Sequence, residues 1–394
     1  MKNEKTGSFT FAFSLVQATY WMTACAVLSY SAIYLQALSF SNFSIGIITA
    51  LGRVLGAVAG PVIASYLDSH PKFPTARMNT PLLLMQVALF GVLQFIGGSS
   101  FITGLVFALI VGLFISTNSV ILRFCGDCAV GGFDLNYGIA RGIGSLAFII
   151  PSVLLGIIFK RVSAANLPLA GILLLILQLA VNFYAGAFFR GQRSVSVRED
   201  GAKSSSLFKF FKEEPVFARL LVGIMLLFFG YYSHNTFLIN VVRNAGGDTA
   251  TMGLISGVGA ALEIPFMFMF SGLRKKCKLS SLLIFAVTAF SGKVLMIALV
   301  TNVAGLFAAQ ILQGFGYALY AAAIVPYVSA VIPARNAAKG QSLVYTMEML
   351  SGVTANLIAG KLYDITTVRT TLLTGFAVTV IGLITFISGT KKVE

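Results

Sequence analysis

Twelve long, nearly uninterrupted apolar runs constrain what this chain can fold into. They cover approximately 9–36, 44–67, 80–97, 101–123, 137–159 and 167–189, then 216–242, 251–273, 279–300, 303–331, 341–364 and 370–388. At 1.5 Å per helical residue, about twenty residues cross a hydrocarbon core of roughly 30 Å. Runs of this length without period-two alternation select helices over the strands of a barrel. With 57% hydrophobic and only 10% charged residues, against about 25% charged in soluble domains, the chain has too much apolar surface for a soluble core. The sequence therefore predicts an all-α membrane protein of twelve transmembrane helices. The first run follows Lys2 and Lys5 but is too long for the apolar part of a signal peptide, so it reads as the first span.

The formal charge of +15 raises the question of a nucleic-acid partner, which the placement of the basic residues answers. They crowd the connections after even-numbered spans and both termini, as at Lys72, Arg77, Arg193, Lys203, Arg274 to Lys276, Arg335, Lys339 and Lys391. The opposite connections hold Lys160, Arg161, Arg243, Lys361 and Arg369. This is the asymmetry of the positive-inside rule, so the charge reports orientation: a multi-pass protein of the cytoplasmic membrane with both termini cytoplasmic and no nucleic-acid partner. Arg190 to Pro215, rich in charge and serine, is the one long polar segment. It divides the chain into six-helix halves at 1–189 and 216–394, joined by a cytoplasmic linker at 190–215. The halves repeat: a shift of 207 residues lays Gly46 on Gly253 and Gly52 on Gly259, and carries spans 1, 4 and 5 onto 7, 10 and 11. An even offset keeps the copies parallel.

Small residues at Gly52, Gly56 and Gly60, and at Gly138 and Gly142, are spaced for close helix contacts. Cys125 and Cys128 have a metal-knuckle spacing but no second pair or nearby histidine, so neither a metal nor a cofactor is expected. With only His70 and His234, and no HExxH or GxSxG, the chain offers no enzyme motif.

A charge near the bilayer centre costs a few kcal/mol, which makes each such residue a functional candidate. The interior set is Arg53, Arg141, Glu263, Lys293 and Glu348, with Arg123, Asp127 and His234 nearer span ends. Fixed structural salt bridges are the competing reading for Glu263, Glu348, Arg141 and Arg53, while His234, beside Tyr231, Tyr232 and Asn235, either lines a cavity or sits at the outer interface. Lys293 has no obvious partner on the span count. Trp21, with Tyr20, Tyr30 and Tyr34, forms a candidate cluster for stacking on a ring, helix packing being its alternative.

The segment Gly60 to Asp68 resembles the signature loop of the major facilitator superfamily, with Ala64 in place of a glycine and Ser69 in place of a basic residue; Ser271 to Lys276 is its counterpart in the second half. Asn136 to Ser145, Lys339 to Asp364 and the Glu263-Ile264-Pro265 run resemble the lactose permease, phenylpropionate permease and sugar-efflux branch. The resemblance implies two halves that rock about a central cavity. It places Arg141 and Phe148 on the solute, faces spans 2 and 5 of the first half toward spans 11 and 8 of the second, and gives Asp68 a gating role. Gln313 and Gly316 replace the span-10 histidine and glutamate tied to proton coupling in that permease, which makes a galactoside specificity doubtful.

The expectation that follows is a proton-coupled secondary transporter, a symporter for a sugar, glycoside or similar small organic solute, acting as a monomer. Arg141, Phe148, Arg53, Trp21 and Lys293 are its candidate solute contacts, and Glu263, Glu348, Asp127 and Asp68 its coupling and gating candidates. An exporter of sugars or amphiphiles, a carrier of organic anions, and a non-transporting receptor or embedded enzyme are the alternatives.

Overall fold

The computed structural model describes residues 2–70, 73–130, 135–189 and 207–393. The chain separates into two compact units, Met1–Glu199 and Asp200–Glu394. Most of the connection read from sequence as 190–215 lies outside the described residues.

Six helices build the first unit. Helix α1 runs Lys2–Ala24 and continues through a π-helical turn, Cys25–Ser29, into Ser31–Ala37; α2 is Asn42–Ser69, α3 Thr75–Phe95, α4 Phe101–Val130, α5 Tyr137–Arg161 and α6 Leu167–Phe188. In the second unit α7 is Pro215–Asn235, continued by Leu238–Asn244, and α8 is Thr249–Arg274. Helix α9 is Leu279–Leu299, and α10 joins Val303–Gln313, a π-helical turn Gly314–Ala318 and Leu319–Val331; α11 is Ala334–Ile365 and α12 Val368–Ser388. Eleven of these are long and apolar enough to cross a membrane; α11, at 32 residues, is long enough but too polar to qualify, carrying Lys339, Gln341, Glu348 and Asn356.

The helix starts follow from capping chemistry. Ser41, Asn136, Asp248, Asn302 and Thr367 each accept the backbone N–H three residues on, satisfying a donor that the first turn leaves free. The apolar runs locate the spans, and the helices outlast them where polar residues are amphipathic: α4 extends to Val130 and α11 begins at Ala334. Large apolar side chains such as Phe95, Phe101, Val62 and Ile384 point outward and are exposed, the pattern expected where lipid replaces water.

The repeat is visible in the packing. In the first unit α1 packs on α5 and α6, α4 on α2 and α3, and α3 on α6; in the second, α7 packs on α11 and α12, α10 on α8 and α9, and α9 on α12. Each helix thus keeps the neighbours of its counterpart six helices away.

Close approach explains the glycines of α2. A Cβ at Gly52 would lie 2.5 Å from Val111 Cβ and 2.9 Å from the Ala108 carbonyl oxygen, and one at Gly56 2.6 Å from Ile115 Cβ. At Gly60 the nearest atom, Ser119 Oγ, is 3.3 Å away. Gly52→Ala is therefore expected to destabilise by about 1–3 kcal/mol, since the helices must part. Gly60→Ala should stay within about 1 kcal/mol of the parent, as thermal unfolding of the purified protein will show. On α5 the tight spot is Gly144, whose Cβ would meet Trp21 Cδ1 at 2.5 Å, whereas Gly138 is exposed.

Candidate functional site

Within the first unit, α1 and α5 assemble a polar site around Trp21. The close approach at Gly144 brings the Arg141 guanidinium over the indole, 4.0 Å from Cζ to the ring centroid, in a cation–π arrangement. Arg141 Nη1 donates to Ser145 Oγ at 2.7 Å, one turn along the same helix. Trp21 Nε1 donates to Gln17 Oε1 at 3.2 Å, one turn back on α1. Gln17 is almost fully buried, and its Nε2 has no hydrogen-bond partner among the described residues. Phe148 stands two turns beyond Arg141 on α5, half-buried, and Arg53 on α2 is buried. Trp21 and Arg141, read separately from the sequence, thus meet; Gln17 and Ser145 were not singled out, although their four-residue spacing from Trp21 and Arg141 was the available signal.

The tyrosines grouped with Trp21 do not join it in lining a site. Tyr20, in edge contact with Trp21, stacks flat on Phe114 at 4.5 Å, Tyr34 stacks on Phe107, and Tyr30 donates its hydroxyl hydrogen to the Ser152 carbonyl at 2.6 Å; all three are buried. They are core residues, because their positions on α1 turn toward α4 and α5.

A second cluster closes one end of the same unit. Arg123 Nη2 lies 2.5 Å from Asp68 Oδ1 and its Nη1 donates to the Ala64 carbonyl at 3.1 Å, tying α4 to the end of α2. Asp127, one turn further on α4, accepts from the Thr75 hydroxyl at the start of α3 and lies 3.9 Å from Arg123 Nε. Asp68, Arg123 and Asp127 therefore form one helix-end group, apart from Arg141.

In the second unit the membrane-embedded charges are held by neutral polar side chains. Lys293 Nζ donates to Gln313 Oε1 at 2.5 Å, and Gln313 Nε2 donates to Glu263 Oε1 at 2.7 Å, a relay across α9, α10 and α8. All three residues are buried. Lys293, without a partner on the span count, has one in Gln313, the last residue before the π-helical turn at Gly314–Ala318. That turn lies close against both neighbours: a Cβ at Gly314 would meet Phe266 on α8 at 2.2 Å, and one at Gly316 Phe290 on α9 at 2.7 Å. Glu348, near the midpoint of α11, is half-buried, and its Oε1 accepts from the Tyr320 hydroxyl at 2.7 Å. Phe228, Tyr231 and Tyr317 fill the space between: Tyr317 stacks on Tyr231 at 5.8 Å, Phe228 lies 5.2 Å from Tyr320, and Lys293 Nζ is 6.0 Å from the Tyr231 ring. His234, in the last turn of Pro215–Asn235, is buried, with Nδ1 2.8 Å from the Gly230 carbonyl oxygen.

A model of the MFS_1-like family matches residues 14–374. No curated protein matches the sequence. Among solved structures, the nucleoside transporter NupG superposes with a TM-score of 0.74 at 13% identity, over 97% of this chain and 99% of that one. A bacterial homologue of the human lysosomal transporter Spinster, inward-facing and unoccupied, gives 0.62 at 14% identity over 98% and 95%. At such identities the likeness establishes the fold, twelve helices in two six-helix halves. The family match over nearly the whole length supplies the rest: the chain belongs to the MFS_1-like family and is a membrane transporter of the major facilitator type.

Proposed function

We propose that this protein is a proton-coupled secondary carrier for a small, polar, ring-bearing organic solute such as a sugar or glycoside, working by alternating access. The observation that carries the reading is the Trp21–Arg141 pair. A guanidinium inside a membrane span, partly buried and held by a ring face and one hydroxyl rather than by a carboxylate, keeps in-plane N–H donors for a solute's oxygens. Phe148 on the same helix and the indole supply apolar faces for a ring, and Glu263 and Glu348 supply carboxylates for the coupling proton. Asp68, Arg123 and Asp127 fit a gate at the helix ends better than a coupling site, since each is already bonded to its neighbours. A carrier of nucleosides, sugar-bearing rings themselves, is the second reading, favoured by the likeness to NupG.

Flux into proteoliposomes under an imposed pH gradient, run against radiolabelled sugars, glycosides, nucleosides and aromatic acids, tests the proposal. Accumulation of one class is expected, and Arg141→Lys should weaken its binding roughly tenfold to a hundredfold, because an ammonium cannot replace the planar fork. Unchanged affinity in that variant returns Arg141 to a structural role, and no flux from folded protein favours a non-transporting receptor.

Orientation has its own check. The excess of basic residues in the α8–α9 connection and at both termini supports a cytoplasmic side for them, so the exposed Cys277 thiol should resist a membrane-impermeant maleimide added outside intact cells and react once the membrane is opened. Labelling from outside reverses the topology.

A further inference from the structure

We propose that, of the two membrane-embedded glutamates, Glu348 is the group that takes up and releases the coupling proton, with the Tyr320 hydroxyl positioning it. This rests on the proton-coupled reading above and narrows it. Glu263 belongs to a relay in which the Gln313 amide turns its N–H toward the carboxylate and its carbonyl toward the Lys293 ammonium. Protonating Glu263 would remove the negative end of that relay and leave Lys293, 5% exposed, without its counter-charge, which a low-dielectric interior penalises heavily.

Glu348 has no such constraint. Its one bond is to a neutral hydroxyl, and no cation pairs with it among the described residues. Glu348 is partly buried, where Glu263 is buried. Among the described residues of the second unit, α11 packs mainly on α7, α10 and α12. The titratable groups they bring to this region are Tyr231, Tyr232 and His234 on α7 and Tyr317 and Tyr320 on α10; the charge of α12 is Arg369, in its first turn. Phe228 and Tyr231 stand between Tyr320 and Lys293, so the two sites are separated by rings. The step is a plain proton transfer: a proton from water forms an O–H bond on the free Glu348 oxygen, the charge at that position goes from minus one to zero, and the same proton leaves to water on the other side. Tyr320 keeps its own proton throughout and switches between the two forms by reorienting its hydrogen bond.

Infrared difference spectra of the full-length protein in lipid, between about pH 9 and about pH 5, isolate this event without any solute, because exposed carboxylates titrate near pH 4. The parent should show a carboxylic-acid C=O band that appears on acidification, is lost in Glu348→Gln and survives in the Glu263→Gln/Lys293→Gln double variant. Tyr320→Phe keeps the carboxyl but removes its donor, so the band should move to higher frequency; this variant decides the matter if Glu348→Gln does not fold. Absence of the band in the parent, its persistence in Glu348→Gln, its loss in the double variant, or indifference to Tyr320→Phe overturns the assignment. Expected spectra together with no pH-driven accumulation in proteoliposomes would leave Glu348 as the titrating site and defeat the coupling reading instead.

Discussion

Lys293→Met is expected to lower the thermal midpoint of the purified protein by on the order of 10 °C. The substitution preserves the length and much of the volume of the side chain but deletes the cation at one end of the Lys293–Gln313–Glu263 relay. Breaking a buried charge pair from one side costs about 3–5 kcal/mol, most of it the penalty of the charge left behind. For a cooperative unit of 150–250 residues each kcal/mol is worth roughly 2–4 °C. The second unit, Asp200–Glu394, falls in that range. Adding Glu263→Gln to Lys293→Met removes the buried negative charge as well and should recover part of the loss, because two neutral amides can still bond to each other between α8 and α10. A single variant as stable as the parent, or a double variant no better than the single, would show that the relay is not an electrostatic unit.

The second large effect is functional. Glu348→Gln should reduce the solute accumulation ratio in a pH gradient to about one, while exchange between equal concentrations stays within about threefold of the parent. With one proton per solute, a gradient of one pH unit is worth about 1.4 kcal/mol and sustains at most about tenfold accumulation. Glutamine mimics the neutral acid and still accepts the Tyr320 hydrogen bond, so the conformational cycle is kept and only the link to the proton is cut. Loss of exchange along with accumulation would mean that Glu348 binds solute. Full accumulation in both Glu348→Gln and Glu263→Gln would move the proton to Asp127, or replace it with another driving ion.

The residues that announced themselves in the sequence are those whose cost does not depend on context. A guanidinium or carboxylate in an apolar run is expensive wherever its helix packs, so Arg141, Glu263, Lys293 and Glu348 stood out before any packing was known. Neutral polar residues carry no comparable signal. Gln17 and Tyr320 escaped notice, and Gln313 was read as the place of a missing histidine, not as the bridge between two charges.

Apolar length, polar breaks, loop charge and a 207-residue repeat were enough to determine twelve helices in two parallel six-helix halves, because lipid forces every backbone hydrogen bond to close within its own segment and makes hydropathy nearly sufficient. Which side chains meet was decided by tertiary structure alone. Trp21 and Arg141 lie 120 positions apart and touch only because Gly144 lets α5 reach α1, while Tyr30 and Tyr34, on the same helix as Trp21, turn into the core. Lys293 reaches Glu263 through Gln313, which stands on a third helix just before a π-helical turn packed between α8 and α9. Contacts of this kind depend on helix rotation and crossing, which are set by the summed packing of many side chains and not by any local pattern.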